Sequence, residues 1–274
     1  MSYKSPKEIL VAVDAAARHK VQLSSGKQLL LGFMAGMFIA MGAMLGMTVS
    51  YGSPAIAEAN PGLAKFLLGA VFPVGMIMVV ITGGELFTSN TAVIIASRLG
   101  GGVHWRSLLR NWTMVYLGNA LGAVLTALFL AYWSGLIAAG DGATISLPQS
   151  LGLAAREIAV AKTTLPWGQA FLRGVLCNVL VCTAIWMGIA AEDIAGKVLA
   201  IWFPVMAFVA LGSEHSIANL FFVPLGMLNG ANVTIGQFLL NNLLPVTLGN
   251  LVGGAGLIGI LFWLAYRERP AREG

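Results

Sequence analysis

A helix needs roughly 20 apolar residues to cross the hydrocarbon core of a bilayer, and this chain offers that length repeatedly. No Asp, Glu, Lys or Arg interrupts Gln28 to Ala57, Phe66 to Gly84, Asn111 to Gly140, Gly174 to Ala191 or His215 to Tyr266. The last stretch is long enough for more than one crossing. Only 10% of the residues carry a formal charge and 58% are apolar, whereas about a quarter of a soluble domain is charged. A water-soluble globule cannot hide that much apolar surface. The chain reads as an all-α polytopic membrane protein, with the lipid bilayer as its solvent.

Six spans are expected, near Leu29–Val49, Phe66–Leu99, Leu108–Trp133, Gln169–Ala190, Val198–Met227 and Phe238–Tyr266. With the N-terminus inside, all 16 Lys and Arg except Lys65, Arg156, Lys162 and Arg173 fall in inner segments. That bias obeys the positive-inside rule and makes both termini cytoplasmic. Trp105, Trp133, Trp167, Trp186, Trp202 and Trp263 fall near span ends, as an aromatic belt requires. Residues 1–27 form an inner amphipathic segment: Ser5, Pro6 and Glu8 make a capping box, and Ile9, Leu10, Val13, Ala16 and Ala17 recur at helical spacing. That helix lies on the membrane face or docks on the protein's own loops. A channel domain over 28–266 and a short inner tail, 267–274, complete the organisation.

Spans two and five are too long for one straight helix. Both are interrupted by polar and glycine residues, at 82–90 and 212–219, and aligned they read Gly-x-Glu-x-x-x-x-Asn. Spans three and six share a second phrase, Gly118-Asn119-Ala120-Leu121-Gly122 against Gly249-Asn250-Leu251-Val252-Gly253. The domain is therefore a tandem repeat of three spans (28–133 and 169–266, joined by an outer linker, 134–168). An odd number of crossings per repeat inverts one half against the other, the plan of many transporters. Backbone that leaves the helix inside a membrane must be buried in protein or line a water-filled cavity, so the two breaks mark a pathway.

Ionisable residues at bilayer depth are costly and functional by default; here they are Glu85, Glu214 and His215. His215 is the sharpest candidate, since an unperturbed imidazole titrates near physiological pH. Glu85 and Glu214 read first as structural partners of the broken helix ends. Thr88, Ser89 and Ser216 stand where second half-helices begin, where hydroxyls and free N–H groups make an anion site or simply cap the helix. Asn119, Asn178 and Asn250 need partners inside their spans, as interhelical glue or as substrate contacts. Phe72, Met76, Leu86, Phe87, Phe203 and Phe208 flank the breaks and could form apolar constrictions. Gly32/Gly36, Gly42/Gly46, Gly118/Gly122 and Gly249/Gly253 are pairs that let helices approach closely. Cys177 and Cys182 read as small buried thiols.

Other classes are poorly served. The basic residues form no patch, so nucleic acid is not a partner. No HExxH, no GxSxG and only three histidines leave no enzyme site, and no metal or cofactor is expected. A water, ammonia or neutral-solute channel is the rival reading, but no Asn-Pro-Ala occurs at either break.

The phrases Gly83-Gly84-Glu85-Leu86-Phe87-Thr88-Ser89-Asn90, Arg110-Asn111-Trp112, Ala161-Lys162-Thr163-Thr164, Cys177-Asn178, Glu214-His215-Ser216-Ile217-Ala218-Asn219 and Asn242 through Asn250 resemble the formate/nitrite transporter family over nearly the whole chain. The resemblance implies an aquaporin-like six-helix protomer with its own pore, assembled as a homopentamer. It implies that Leu86, Phe87 and Thr88 match a mobile loop, His215 the central histidine and Lys162 a lysine of the outer vestibule. Phe72, Met76 and Phe208 match constriction positions, with Met76 standing where formate channels carry leucine. Ala161–Thr164 looks nitrite-channel-like and Asn242–Thr247 formate-channel-like, so either anion fits, as do hydrosulfide and short monocarboxylates. Moving a bare carboxylate through an apolar slit would cost far more than neutralising it. The expectation is that Lys162 and the half-helix N-termini attract the anion, His215 protonates it, and Glu214 and Asn178 orient the imidazole.

Overall fold

The computed structural model of the chain describes residues 3–52, 54–139 and 146–267. The inner tail expected at 267–274 lies outside them beyond residue 267, as does part of the linker, 140–145. Helix α1 (Pro6–Gln22) begins at the expected capping box, with Ser5 N and Oγ each 2.7 Å from the Glu8 carboxylate. It docks on the protein rather than lying free: Val13 and Ala17 are fully buried, and Ser97 Oγ donates to Asp14 at 2.5 Å.

The first span is α2 (Ser25–Tyr51). The second is three pieces: a short α3 (Pro54–Ala59) leads into α4 (Pro61–Val71) and α5 (Pro73–Thr82), bent at Pro73, and after a non-helical turn α6 (Phe87–Leu99) follows. The third span, α7 (Trp105–Leu125), runs on as a π-helix over Thr126–Trp133. The linker contains a helix the sequence did not announce, α8 (Leu147–Thr163). Then come α9 (Trp167–Ala190), the broken fifth span as α10 (Ile194–Ala210) and α11 (Ser216–Leu228), and the last span α12 (Ile235–Tyr266), with π-helical stretches at Phe238–Leu243 and Val252–Ile260. Five of these helices are long and apolar enough to cross a membrane, and the two pieces of the fifth span are shorter. Both breaks fall where the sequence puts them, and each opens on a glycine in the left-handed region, Gly83 (φ 81°) and Gly212 (φ 72°), which ends α5 and α10 without a Cβ clash.

The glycine pairs all serve contacts inside the protomer. Gly32 and Gly36 of α2 meet Gly118 and Asn119 of α7, while Gly174 of α9 meets Gly249 of α12 at 3.3 Å from where its Cβ would stand. Gly42 and Gly46 let α2 approach Phe72, Gly75 and Leu68. A Cβ on Gly249 would collide with the Phe171 carbonyl, a backbone atom that cannot move aside. Over-packing of this kind costs about 1–3 kcal/mol. Gly249→Ala is therefore expected to lower the thermal midpoint of the detergent-solubilised protein by several degrees. Gly168→Ala, where nothing lies within 4 Å of the added methyl, should leave it unchanged or slightly raised.

Candidate functional site

Leaving the helix twice inside the membrane strands peptide groups, and two asparagines collect them. Asn119 of α7 accepts from Phe87 N–H (2.9 Å) and donates to the carbonyls of Gly32 (2.7 Å) and Glu85 (2.8 Å). Asn250 of α12 repeats this in the other half, accepting from Ser216 N–H (2.9 Å) and donating to Gly174 (2.8 Å) and Glu214 (3.0 Å). Glu85 N–H reaches the Leu31 carbonyl as Glu214 N–H reaches Arg173. Both asparagines are fully buried, and every bond goes to backbone, so they hold the breaks open.

Each break then carries a charged cluster of the same design. Asn219 donates to the Glu214 carboxylate at 2.7 Å and to Asn242 at 2.8 Å, while Lys162 from α8 closes on the other carboxylate oxygen at 2.9 Å. In the first half Asn90 donates to Glu85 at 2.7 Å and to Asn111 at 2.9 Å, and Lys20 from α1 closes on Glu85 at 2.6 Å. Lys20 is a site residue the sequence reading missed. Its segment looked like a surface helix, and the available signal was that Lys20 precedes Gly32 by the same interval that separates Lys162 from Gly174. The repeating unit thus includes α1 and α8, two helices that stand at opposite ends of α2: α1 leads into its first residue, and Leu147 of α8 packs beside Gly52 at its last turn.

Two vestibules open at these clusters. One, of about 170 Å³, is lined by Lys162, Glu214, Ser213, His215, Phe72 and Phe208, with Tyr51 and Lys65 toward its mouth. The other, of about 340 Å³, is lined by Lys20, His19, Glu85, Leu86, Ser89 and Asn90. They share no lining residue, and the Thr88–His215 contact is made beside the first of them. There the first turns of α6 and α11 meet head to head. His215 Nδ1 accepts from Ala218 N–H at 3.1 Å, capping α11, and His215 Nε2 lies 2.9 Å from Thr88 Oγ1. An imidazole that accepts at Nδ1 is neutral and carries its proton on Nε2, so His215 donates to Thr88. The Thr88 hydroxyl proton is then left over. Two helix N-termini pointing at one spot also sum their positive dipole ends there.

Several expectations shift in this geometry. Glu214 and Asn178 do not touch the imidazole: Glu214 is taken up by Lys162, Asn219 and Asn242, and Asn178 binds the carbonyls of Thr88 and Asn250. Phe72 and Phe208 do form a pair, edge-to-face with centroids 5.8 Å apart, and Phe208 stacks on His215 at 5.9 Å. Met76 is buried beside them on α5, and Leu86 lines the Lys20 vestibule. Phe87 turns the other way, packing edge-on to Trp112 and Tyr116, because its N–H is pinned to Asn119. It lines neither vestibule. Phe203 is 55% exposed on the outside of the protomer and is no gate.

The Lys162–Glu214 pair is nearly dry, with side-chain exposures of 16% and 4%. Removing one partner of such a pair leaves an uncompensated buried charge, a loss of about 3–5 kcal/mol. Lys162→Met is expected to lower stability to chemical denaturation in detergent by about that amount, and adding Glu214→Gln should recover most of it.

With this geometry in view, the chain matches known proteins over its length. Residues 7–264 match the family model described as formate/nitrite transporter. A probable formate transporter of Methanothermobacter thermautotrophicus is 45% identical, over 97% of this chain and 98% of that protein. Among solved structures, an FNT family ion channel superposes with a TM-score of 0.83 at 31% identity, covering 94% of this chain and 98% of the other. A pentameric formate channel with formate bound superposes with a TM-score of 0.74 at 36% identity, covering 89% and 98%. These relatives are channels and transporters, not enzymes. The chain belongs to the formate/nitrite transporter family of membrane transport proteins.

Proposed function

We propose that the protein carries formate, and as a second substrate nitrite, across the cytoplasmic membrane through one path per protomer, and that it works as a homopentamer with both termini in the cytoplasm. The observation that carries this reading is the Thr88–His215 bond, a pair of donors between the N-termini of two half-helices with a phenylalanine pair directly above. A small monovalent anion drawn into a vestibule by Lys162 or Lys20 meets there the positive helix ends, the spare Thr88 hydroxyl proton and the His215 Nε2–H. Anions of three heavy atoms, such as formate and nitrite, present acceptor oxygens at a size that suits a vestibule of about 170 Å³. The pentameric formate channel that this fold resembles supports both the substrate and the assembly.

Crossing the apolar slit favours the neutral acid, because an unpaired ion in that setting is heavily penalised. His215 supplies the proton: it takes one at Nδ1, passes the Nε2 proton to the anion, and regains the resting tautomer when Nε2 is reprotonated and Nδ1 releases its proton. The ring cannot be loaded at Nδ1 while Nδ1 accepts from Ala218 N–H. Proton loading and capping of α11 therefore exclude each other, and each proton-coupled turnover opens and recloses the first turn of α11. Glu85 and Glu214 keep the two lysines in place and hold each vestibule near neutrality, which lets the anion leave again.

The test is uptake of labelled formate and of nitrite by purified protein in liposomes, with and without an imposed pH gradient, beside His215→Asn. Proton-stimulated flux in the unmodified protein should exceed that of the variant by ~100-fold or more, the lower end of what a positioned proton donor contributes. Equal flux in the two would reduce His215 to a helix cap and leave a passive pore.

A further inference from the structure

The two halves repeat their scaffold bonds almost one for one, so positions where they differ stand out. Counting from the paired glutamates, His215 stands where the first half has Leu86, Thr88 where the second has Ile217, and Thr91 where it has Leu220. Counting from Gly32 and Gly174, Asn178 stands opposite Gly36 and Cys182 opposite Ala40. Every polar member of this set has an apolar or side-chain-free mate in the other half. All five come together in one place.

His215 contacts the Thr88 hydroxyl, and the other three meet on the Thr88 carbonyl. Thr91 Oγ1 donates to it at 2.6 Å, a local bond that a helical threonine readily makes. The other two donors are not local: Asn178 Nδ2 reaches the same oxygen at 3.1 Å and Cys182 Sγ at 3.3 Å, both from α9 in the opposite half. The Cys182 sulfur also lies 3.6 Å from Asn178 Oδ1, and Asn178 Nδ2 lies 3.1 Å from Thr91 Oγ1, so the three side chains brace one another. All of these side chains are fully buried. Space for the knot comes from Gly254 on the π-helical stretch of α12, where a Cβ would run into Thr91, Asn178 and Cys182 alike; the equivalent position in the first half is Ala123.

We propose that Thr91 and Cys182 are positioning residues of the transport path: with Asn178 they clamp the Thr88 carbonyl, and so fix where the Thr88 hydroxyl stands against His215. The clamp sets substrate size. A pocket discriminates one added methylene by about 10–200-fold only while its wall holds still, and Thr88 is that wall on the side of the first half. With a donor removed, the first turn of α6 relaxes and acetate gains relative to formate.

This inference rests on the formate reading above, and two measurements keep them apart. In liposomes, the formate-to-acetate flux ratio is compared among the unmodified protein, Cys182→Ala, Cys182→Ser and the isosteric Thr91→Val. The ratio is independent of how much protein folds and inserts. It should fall roughly threefold to tenfold in Cys182→Ala and Thr91→Val, and Cys182→Ser, which restores a donor, should recover most of it. In parallel, hydrogen–deuterium exchange of the segment 86–92 should quicken in Cys182→Ala and Thr91→Val but not in Cys182→Ser. Absence of formate flux in the unmodified protein would sink the functional reading, while the exchange data would still decide the clamp. Unchanged exchange in Cys182→Ala and Thr91→Val, or serine no better than alanine, overturns the clamp.

Discussion

A peptide group that leaves a helix inside hydrocarbon must find a partner, and the architecture follows from how this chain meets that demand. Asn119 and Asn250 each satisfy one N–H and two carbonyls at a break. An unpaired buried polar group costs about 1–3 kcal/mol, so without them neither interruption would persist beside a continuous helix. Their reach in turn requires that α2 and α7, and α9 and α12, pack nearly backbone to backbone. The glycines at those crossings are thus a condition for the breaks as much as for packing.

Once the breaks exist, charge can be held beside them. Glu85 and Glu214 are affordable at this depth because each is met by a lysine and an amide, and the lysines arrive on helices outside the spans. Structural and functional polarity then separate cleanly. Bonds that recur in both halves build the frame, while the residues without a polar counterpart in the other half, His215, Thr88, Thr91, Asn178 and Cys182, cluster around Thr88.

The frame was legible in the sequence because its demands are written in spacing. The Gly-x-Glu-x-x-x-x-Asn phrase and the paired Gly-Asn phrase are visible without coordinates, and both breaks fall where they predict. What stayed hidden depends on direction and on distant contacts. Phe87 sits beside Leu86 and Thr88 in the chain, yet its pinned N–H sends the ring to Trp112 and Tyr116. Helix α8 and the role of Lys20 were obscured because amphipathic segments outside the spans carry ordinary surface composition. Asn178 read as interhelical glue or a substrate contact that orients the imidazole, and Cys182 as a buried thiol; only the fold reveals that they converge on the carbonyl of the residue facing His215.

The bond between Thr88 and His215 has a consequence for affinity. At rest the His215 Nε2–H that an arriving anion would use is engaged with the Thr88 hydroxyl oxygen, so the anion must win that donor by exchange. A bond of this type is worth about 1 kcal/mol net, which raises the dissociation constant by some fivefold. Conduction needs a site that is favourable enough to enter and weak enough to leave. A donor held by a neighbouring hydroxyl oxygen meets both conditions: it is not stranded while the site is empty, and the exchange keeps an occupied site from becoming a trap.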